Sequence, residues 1–244
     1  MIRSTALFTA DKPMVSICCS TFNHENFIGE ALDGFLMQKC DFPVEILIHE
    51  DCSTDNTAVI IKEYQQKFSD IIKPKFQKEN QYSKGVKPIS QLLLPRSQGK
   101  YIALCEGDDY WTDPYKLQNQ VDFLEANEDF AICHHNMQVI YEENNNKPHL
   151  SNPPDGEKFT TIETLAHGNY IYTASCVFRD GLFGEFPNWF AKCPIGDYPL
   201  HMLNAQFGKI RYFPEIMGVY RVHNGGVWEY IKILFTEKKS GLTY

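Results

Sequence analysis

Glu106, Asp108 and Asp109 crowd three carboxylates into the stretch Cys105-Glu106-Gly107-Asp108-Asp109-Tyr110-Trp111. They follow directly on an apolar run, Tyr101-Ile102-Ala103-Leu104. An apolar run that ends in acids reads as a buried strand delivering charge to a sheet edge. Carboxylates this close repel one another unless a cation lies between them. Hard oxygen ligands favour Mg²⁺ or Mn²⁺, and Mg²⁺ is commonly held by one or two carboxylates together with substrate phosphates. The stretch therefore predicts a metal–diphosphate site. Gly-Asp-Asp is also ordinary turn chemistry, and on its own the stretch fits a polar turn as well.

Two other strand-like runs end in polar tips. Residues 14–20 lead into Ser20-Thr21-Phe22-Asn23, and residues 44–48 into His49-Glu50-Asp51-Cys52-Ser53-Thr54-Asp55. Residues 71–76 and 101–105 supply a third and a fourth strand. Helical patterns alternate with them at 27–36, 55–68 and 88–96, and Asp113-Pro114 opens another, with Asp113 as a good N-cap. This βαβαβ order predicts an α/β fold around a mostly parallel, doubly wound sheet. In such a sheet ligands bind outside the carboxyl ends of the strands, where the three polar tips would converge. The second half reads as α+β material that extends the sheet and covers one face. It offers one or two strands over 130–141, a loop rich in Asn and Pro over 142–157, and a short helix over 160–167. A strand over 172–178, a helix over 197–207 and two short strands over 209–221 follow.

The net charge is −8 and no block of Lys or Arg is present, which argues against a nucleic-acid partner. The eight cysteines form no CxxC pair, so a zinc site is disfavoured and buried free thiols are expected. Residues 1–13 lack a signal-peptide core and no apolar stretch reaches membrane-span length. The expectation is a cytoplasmic protein. Its tail mixes aromatics with Lys238-Lys239, which suits peripheral contact with the inner face of a membrane or with a partner.

Three segments in order carry a family resemblance. Val15-Ser16-Ile17-Cys18-Cys19-Ser20-Thr21-Phe22-Asn23, the Glu50-Asp51-Cys52-Ser53-Thr54-Asp55 turn and Glu106-Gly107-Asp108-Asp109 resemble glycosyltransferase family 2. About 30 residues separate the first from the second, and about 55 the second from the third. Family members are inverting transferases of the GT-A fold that use nucleotide sugars. The resemblance implies one GT-A domain over 1–244, with a nucleotide-sugar half at 14–127, an acceptor half at 128–228 and a tail at 229–244.

It also implies roles. Asp51 matches the acid that accepts a hydrogen bond from the base, usually uracil. Ser20 and Phe22 match base-pocket positions, and Phe22 stands where the family usually has Tyr, so stacking survives and a hydroxyl contact does not. Glu106 and Asp108 match the two acids of the DxD motif, with Glu106 replacing the usual first Asp on the ribose side. Asp108 would bridge Mn²⁺ or Mg²⁺ to both phosphates, and Asp109 would support the metal shell. Asp197, in Ile195-Gly196-Asp197-Tyr198-Pro199-Leu200, matches the catalytic base, and Gly196 replaces the acid that usually precedes it. Asp197 also fits a plain helix N-cap. His223, in Tyr220-Arg221-Val222-His223-Asn224-Gly225-Gly226, matches a late His that contacts metal or diphosphate. Arg221 beside it fits either a diphosphate contact or the surface. The implied donor is a UDP-sugar, and the implied acceptor is a glycan or lipid-linked saccharide in cell-surface polysaccharide assembly.

Other residues carry less. His134 and His135 are adjacent on a strand, point to opposite faces and do not readily share a metal. His49 reads as structural, Trp111 as core or as a floor for the acceptor, and Lys84-Gly85 as a weak candidate near the nucleotide. Two rivals remain. A sugar nucleotidyltransferase would carry a Gly-rich basic loop after the first strand, but residues 20–25 hold neither Gly nor Lys. A catalytically inactive sugar-binding domain could dispense with Asp108 or Asp197, and both are present.

Overall fold

The computed structural model describes residues 12–142 and 146–226, so the tail expected at 229–244, with Lys238-Lys239, lies outside the described residues. In chain order, β1 (Val15–Thr21), α1 (Ile28–Leu36), β2 (Val44–Glu50), α2 (Thr57–Lys67) and β3 (Ile72–Phe76) form the opening βαβαβ unit. Helical turns at Tyr82–Lys84, Pro88–Leu93 and Leu94–Arg96 precede β4 (Tyr101–Leu104), β5 (Tyr110–Trp111) and α3 (Lys116–Ala126). Then come β6 (Phe130–Tyr141), β7 (His149–Leu150), β8 (Phe159–Thr160), α4 (Ile162–Leu165), β9 (Val177–Arg179), α5 (Asp197–Ala205) and β10 (Lys209–Val222).

Among the described residues, the ten strands belong to one sheet, ordered β3-β2-β1-β4-β9-β6-β10-β5, with β7 on β6 and β8 on β10. The long pairings β1–β2, β1–β4, β2–β3 and β6–β10 are parallel, and the short β9 runs antiparallel between β4 and β6. Alternation explains why the central strands are apolar throughout. Val15, Ile17, Ile46, Ile48, Tyr101 and Ala103 pack on one face, while Cys18, Leu47, Ile102 and Leu104 pack on the other. A parallel strand covered on both faces needs such a continuous apolar run.

Four expectations need correction. Residues 209–221 form one strand rather than two. Its ladder to β6 shifts register between Phe213 and Ile216, where Pro214 has no N–H to donate. The helix after the acidic stretch starts at Lys116, because Asp113 Oδ1 instead accepts the Tyr115 N–H at 2.7 Å in a tight turn. Residues 172–178 split into a helical turn, Thr173–Ser175, and then β9. The loop over 142–157 contains β7. Among the described residues no helix is long and apolar enough to cross a membrane.

Candidate active site

β1, β2 and β4 end side by side, and the loops beyond them interlock. The Gly107 N–H donates to the Ser20 carbonyl at 3.0 Å, and the Asp51 N–H to the Thr21 carbonyl at 3.0 Å. Glycine is required at 107 because a Cβ there would meet Thr21 Oγ1 at 2.7 Å and Thr21 Cβ at 2.8 Å. This close approach turns the acidic stretch across the end of β1. Asn23 adopts a left-handed conformation (φ 55°), which Asn tolerates better than most residues. Its Oδ1 accepts the Thr54 N–H at 2.8 Å, Thr57 Oγ1 accepts the His24 N–H at 2.8 Å, and Asp55 Oδ2 accepts the Glu25 N–H at 3.0 Å. The first two polar tips are therefore one rigid unit, and His24 sits within it.

β10 returns between β5 and β6 and brings Arg221 and His223 to the same place. The Arg221 N–H donates to Asp109 Oδ1 at 2.9 Å, and Nη1 donates to the Asp108 carbonyl at 2.8 Å. Its guanidinium also pairs with Glu30 and with Glu142, and lies against the rings of Tyr110 and Phe27. Arg221 is thus neither a surface residue nor poised for a diphosphate. It fastens the acidic turn to β10.

The side chains at the centre are His24, Glu106, Asp108, Asp109 and His223. His223 Nε2 stands 3.1 Å from Asp108 Oδ2, and His24 Nε2 stands 3.7 Å from the same oxygen. His223 Nδ1 lies 3.0 Å from the Asn224 carbonyl, which can only accept. A proton on Nδ1 leaves Nε2 of the neutral ring as a lone pair facing a carboxylate, an arrangement that calls for a proton or a cation between them. Asp108 Oδ1 and Asp109 Oδ2 are buried with no hydrogen-bond partner. Two groups of three ligands share Asp108, namely His24–Asp108–His223 and Glu106–Asp108–Asp109, and within each the donor atoms lie within 4.8 Å of one another. Donors sharing a first-row divalent ion at about 2.1 Å lie roughly 3–4.2 Å apart, and the 3.1 Å and 3.7 Å separations of Asp108 from His223 and His24 fit that spacing.

The electrostatics agree. Burial, then the charges of Asp108 and Asp197, raise the Glu106 pKa to about 8. Burial and the charge of Asp108 push Asp109 well above the ordinary carboxylate range, against the pull of the Arg221 N–H. Burial opposes ionisation of Asp108 too, but the imidazoles of His24 and His223 lower its pKa overall. Burial lowers the pKa of His24 and favours the neutral, metal-competent ring.

Asp51 is buried, and its carboxylate is heavily engaged. Oδ1 accepts the Gln81 N–H at 2.7 Å and lies 3.1 Å from His49 Nε2, while Oδ2 accepts the Tyr82 N–H at 3.0 Å. A carboxylate offers about four acceptor positions, so one on Oδ2 is left for a ligand. His49 is buried and its Nε2 braces Asp51, a structural role. Ser20 is partly buried beside the Gly107 contact, and Phe22 is exposed at the rim. Asp197 is the first residue of α5, and Gly196 occupies the cap position. Its carboxylate accepts from Asn169 Nδ2 at 3.2 Å, and its charge acts on Glu106 and on His201 one turn along the helix.

The remaining candidates fall outside. Trp111 is core, with Nε1 donating to the Ala174 carbonyl at 2.7 Å. Both His134 and His135 are buried, the first stacked on Tyr212 and the second bonded through Nδ1 to the Asn136 carbonyl at 2.8 Å. Lys84 pairs with Glu79 on an exposed turn. Sequence reasoning missed His24. Its signal was faint, a lone His just beyond the first strand, and only the return of β10 gives it a counterpart.

Comparison with known proteins identifies the family and the fold. Residues 16–186 match the family model described as Glycosyl transferase family 2. The chain belongs to that family. An uncharacterized protein of Mycobacterium tuberculosis is 38% identical over 215 residues, covering 88% of this chain and 60% of the relative. The chain thus spans about 60% of the length of such relatives. Staphylococcus aureus TarS, solved as residues 1–349 with UDP-GlcNAc, superposes with a TM-score of 0.66 at 20% identity, covering 88% of this chain and 60% of TarS. Mannosyltransferase PcManGT of Pyrobaculum calidifontis, solved with GDP-Man and Mn²⁺, gives 0.63 at 17% identity, covering 93% and 62%. The fold is that of GT-A transferases.

Proposed function

We propose that this chain is an inverting, metal-dependent glycosyltransferase that moves a sugar from a nucleoside diphosphate, UDP in the first instance, to a hydroxyl of a glycan or lipid-linked saccharide. The observation that carries the reading is the half-buried Asp108 carboxylate, whose Oδ1 is buried without a partner and whose Oδ2 is faced by two imidazole nitrogens, with two more acids beside it. The family resemblance supports the acceptor class. The Mn²⁺ bound to PcManGT and the UDP-sugar bound to TarS support the donor chemistry.

Asp108 and His223 would hold the cation, with Asp109 and Glu106 supporting its shell. When bound, a divalent ion stabilises charge on a departing diphosphate. Asp51 offers its remaining acceptor position to the base, with Ser20 and Phe22 beside it. Asp197 takes the proton from the acceptor hydroxyl as that oxygen bonds to the anomeric carbon and the bond to the diphosphate breaks. Attack opposite the leaving group inverts the centre. The missing acid at Gly196 leaves Asp197 alone in this role.

A thermal-shift screen of nucleotide sugars with and without Mn²⁺ tests the reading. Ligand at about 100 times its Kd stabilises by about 2.7 kcal/mol, which corresponds to a rise in Tm of roughly 5–10 °C for a chain of this size. The rise should require both nucleotide and metal. No shift with any nucleotide sugar would favour the inactive-domain rival.

A further inference from the structure

Resting on that reading, we propose that His24 is a metal ligand, and that His24, Asp108 and His223 form a two-imidazole, one-carboxylate site selective for a first-row transition ion over Mg²⁺. The geometry comes first. His24 Nε2 points at the same Asp108 oxygen as His223 Nε2, at 3.7 Å and 3.1 Å. All three donor atoms lie within 4.8 Å of one another. At 3.7 Å the His24–Asp108 contact is too long for a hydrogen bond. His24 Nδ1 is buried with no partner. Among the described residues no hydrogen bond engages Nε2, and a cation between the ring and the carboxylate would take up its lone pair, leaving the proton on Nδ1.

The surroundings fix both rings. Phe27 packs against His24 at 6.3 Å and against His223 at 4.7 Å between ring centroids. The two imidazoles meet edge to face at 6.0 Å. His24 is anchored at its backbone by Thr57 Oγ1, so the ring is placed by the interlocked loops rather than by chance.

The donor set then decides the metal. Mg²⁺ prefers oxygen ligands and keeps several waters, whereas imidazole nitrogen suits later divalent ions. Two nitrogens on one ion shift preference along Mg²⁺ < Mn²⁺ < Co²⁺. A site using Asp108 with Glu106 and Asp109 alone would show no such order beyond that of oxygen ligands.

The test is metal binding in the presence of saturating UDP, measured by calorimetry on wild type, His24→Gln and Asp108→Asn. Wild type should bind Mn²⁺ and Co²⁺ at least tenfold more tightly than Mg²⁺. His24→Gln should lose roughly tenfold in Mn²⁺ and Co²⁺ affinity and less than about twofold in Mg²⁺ affinity. Electron spin-echo modulation on the wild-type Mn²⁺–UDP complex should show nitrogen coupling from two imidazoles, and needs no variant to fold. Coupling from a single imidazole, or unchanged Mn²⁺ affinity in His24→Gln, overturns the assignment of His24. If Asp108→Asn also leaves metal and UDP binding intact, the underlying metal reading falls as well, and the two failures are thereby distinguished.

Discussion

Glu106 stands where the family usually has Asp, and its half-buried carboxyl feels the charges of Asp108 and Asp197. Its pKa is raised from 4.5 to about 8. The folded protein thus keeps a proton that the unfolded chain has already released between those two values. Because the native state binds the extra proton, stability falls as pH rises from about 4.5 to about 8 and then levels off. Glu106→Gln removes this dependence. In metal-free buffer the variant should melt several degrees above wild type at pH 9, and the two curves should converge near pH 4. Equal melting at pH 9 would mean that the carboxylate is ionised at no cost. Asp197 gives the complementary residue-scale prediction. Asp197→Asn should leave nucleotide-sugar affinity within about twofold and lower turnover by roughly 10²–10⁴, the usual contribution of a general base. Retained turnover would remove Asp197 from that role.

At the scale of elements, the site depends on how closely the acidic turn presses on the end of β1. Gly107→Ala would force a Cβ to 2.7–2.8 Å from Thr21. The expected cost is about 1–3 kcal/mol in urea denaturation, accompanied by weaker metal-dependent UDP binding, because Asp108 moves with the turn. Unchanged stability would show that the turn can shift. Most elements here were legible in the sequence. The apolar runs of β1, β2 and β4 declare themselves because those strands are buried on both faces, and the pattern of α1 because it is buried on one. What was not legible follows from non-local pairing. β10 stays one strand past Pro214 because β6 runs alongside it on both sides of the irregularity. Asp113 caps a turn instead of a helix because Lys116 is drawn into the core against the Trp111 ring.

At the scale of the whole molecule, the site is assembled from segments far apart in the chain. Asp108 lies 115 residues from His223 along the chain, and Arg221 lies 191 from Glu30. Asp51 and the acids of the Glu106–Asp109 turn were readable because they follow strands, and strand ends in a parallel sheet share an edge. His24 was not readable, because nothing near it in sequence reveals the strand that returns beside it. The same topology explains Arg221, whose charge is spent holding the turn to β10 and is not presented to a substrate. The central claim is that Asp108 links a divalent cation to a nucleoside diphosphate. The most direct measurement is calorimetric titration of UDP into wild type with Mn²⁺, wild type with EDTA, and Asp108→Ala with Mn²⁺. Tight binding in the first case, and loss of at least tenfold in both others, is the predicted result. UDP affinity unchanged by both EDTA and Asp108→Ala would contradict it.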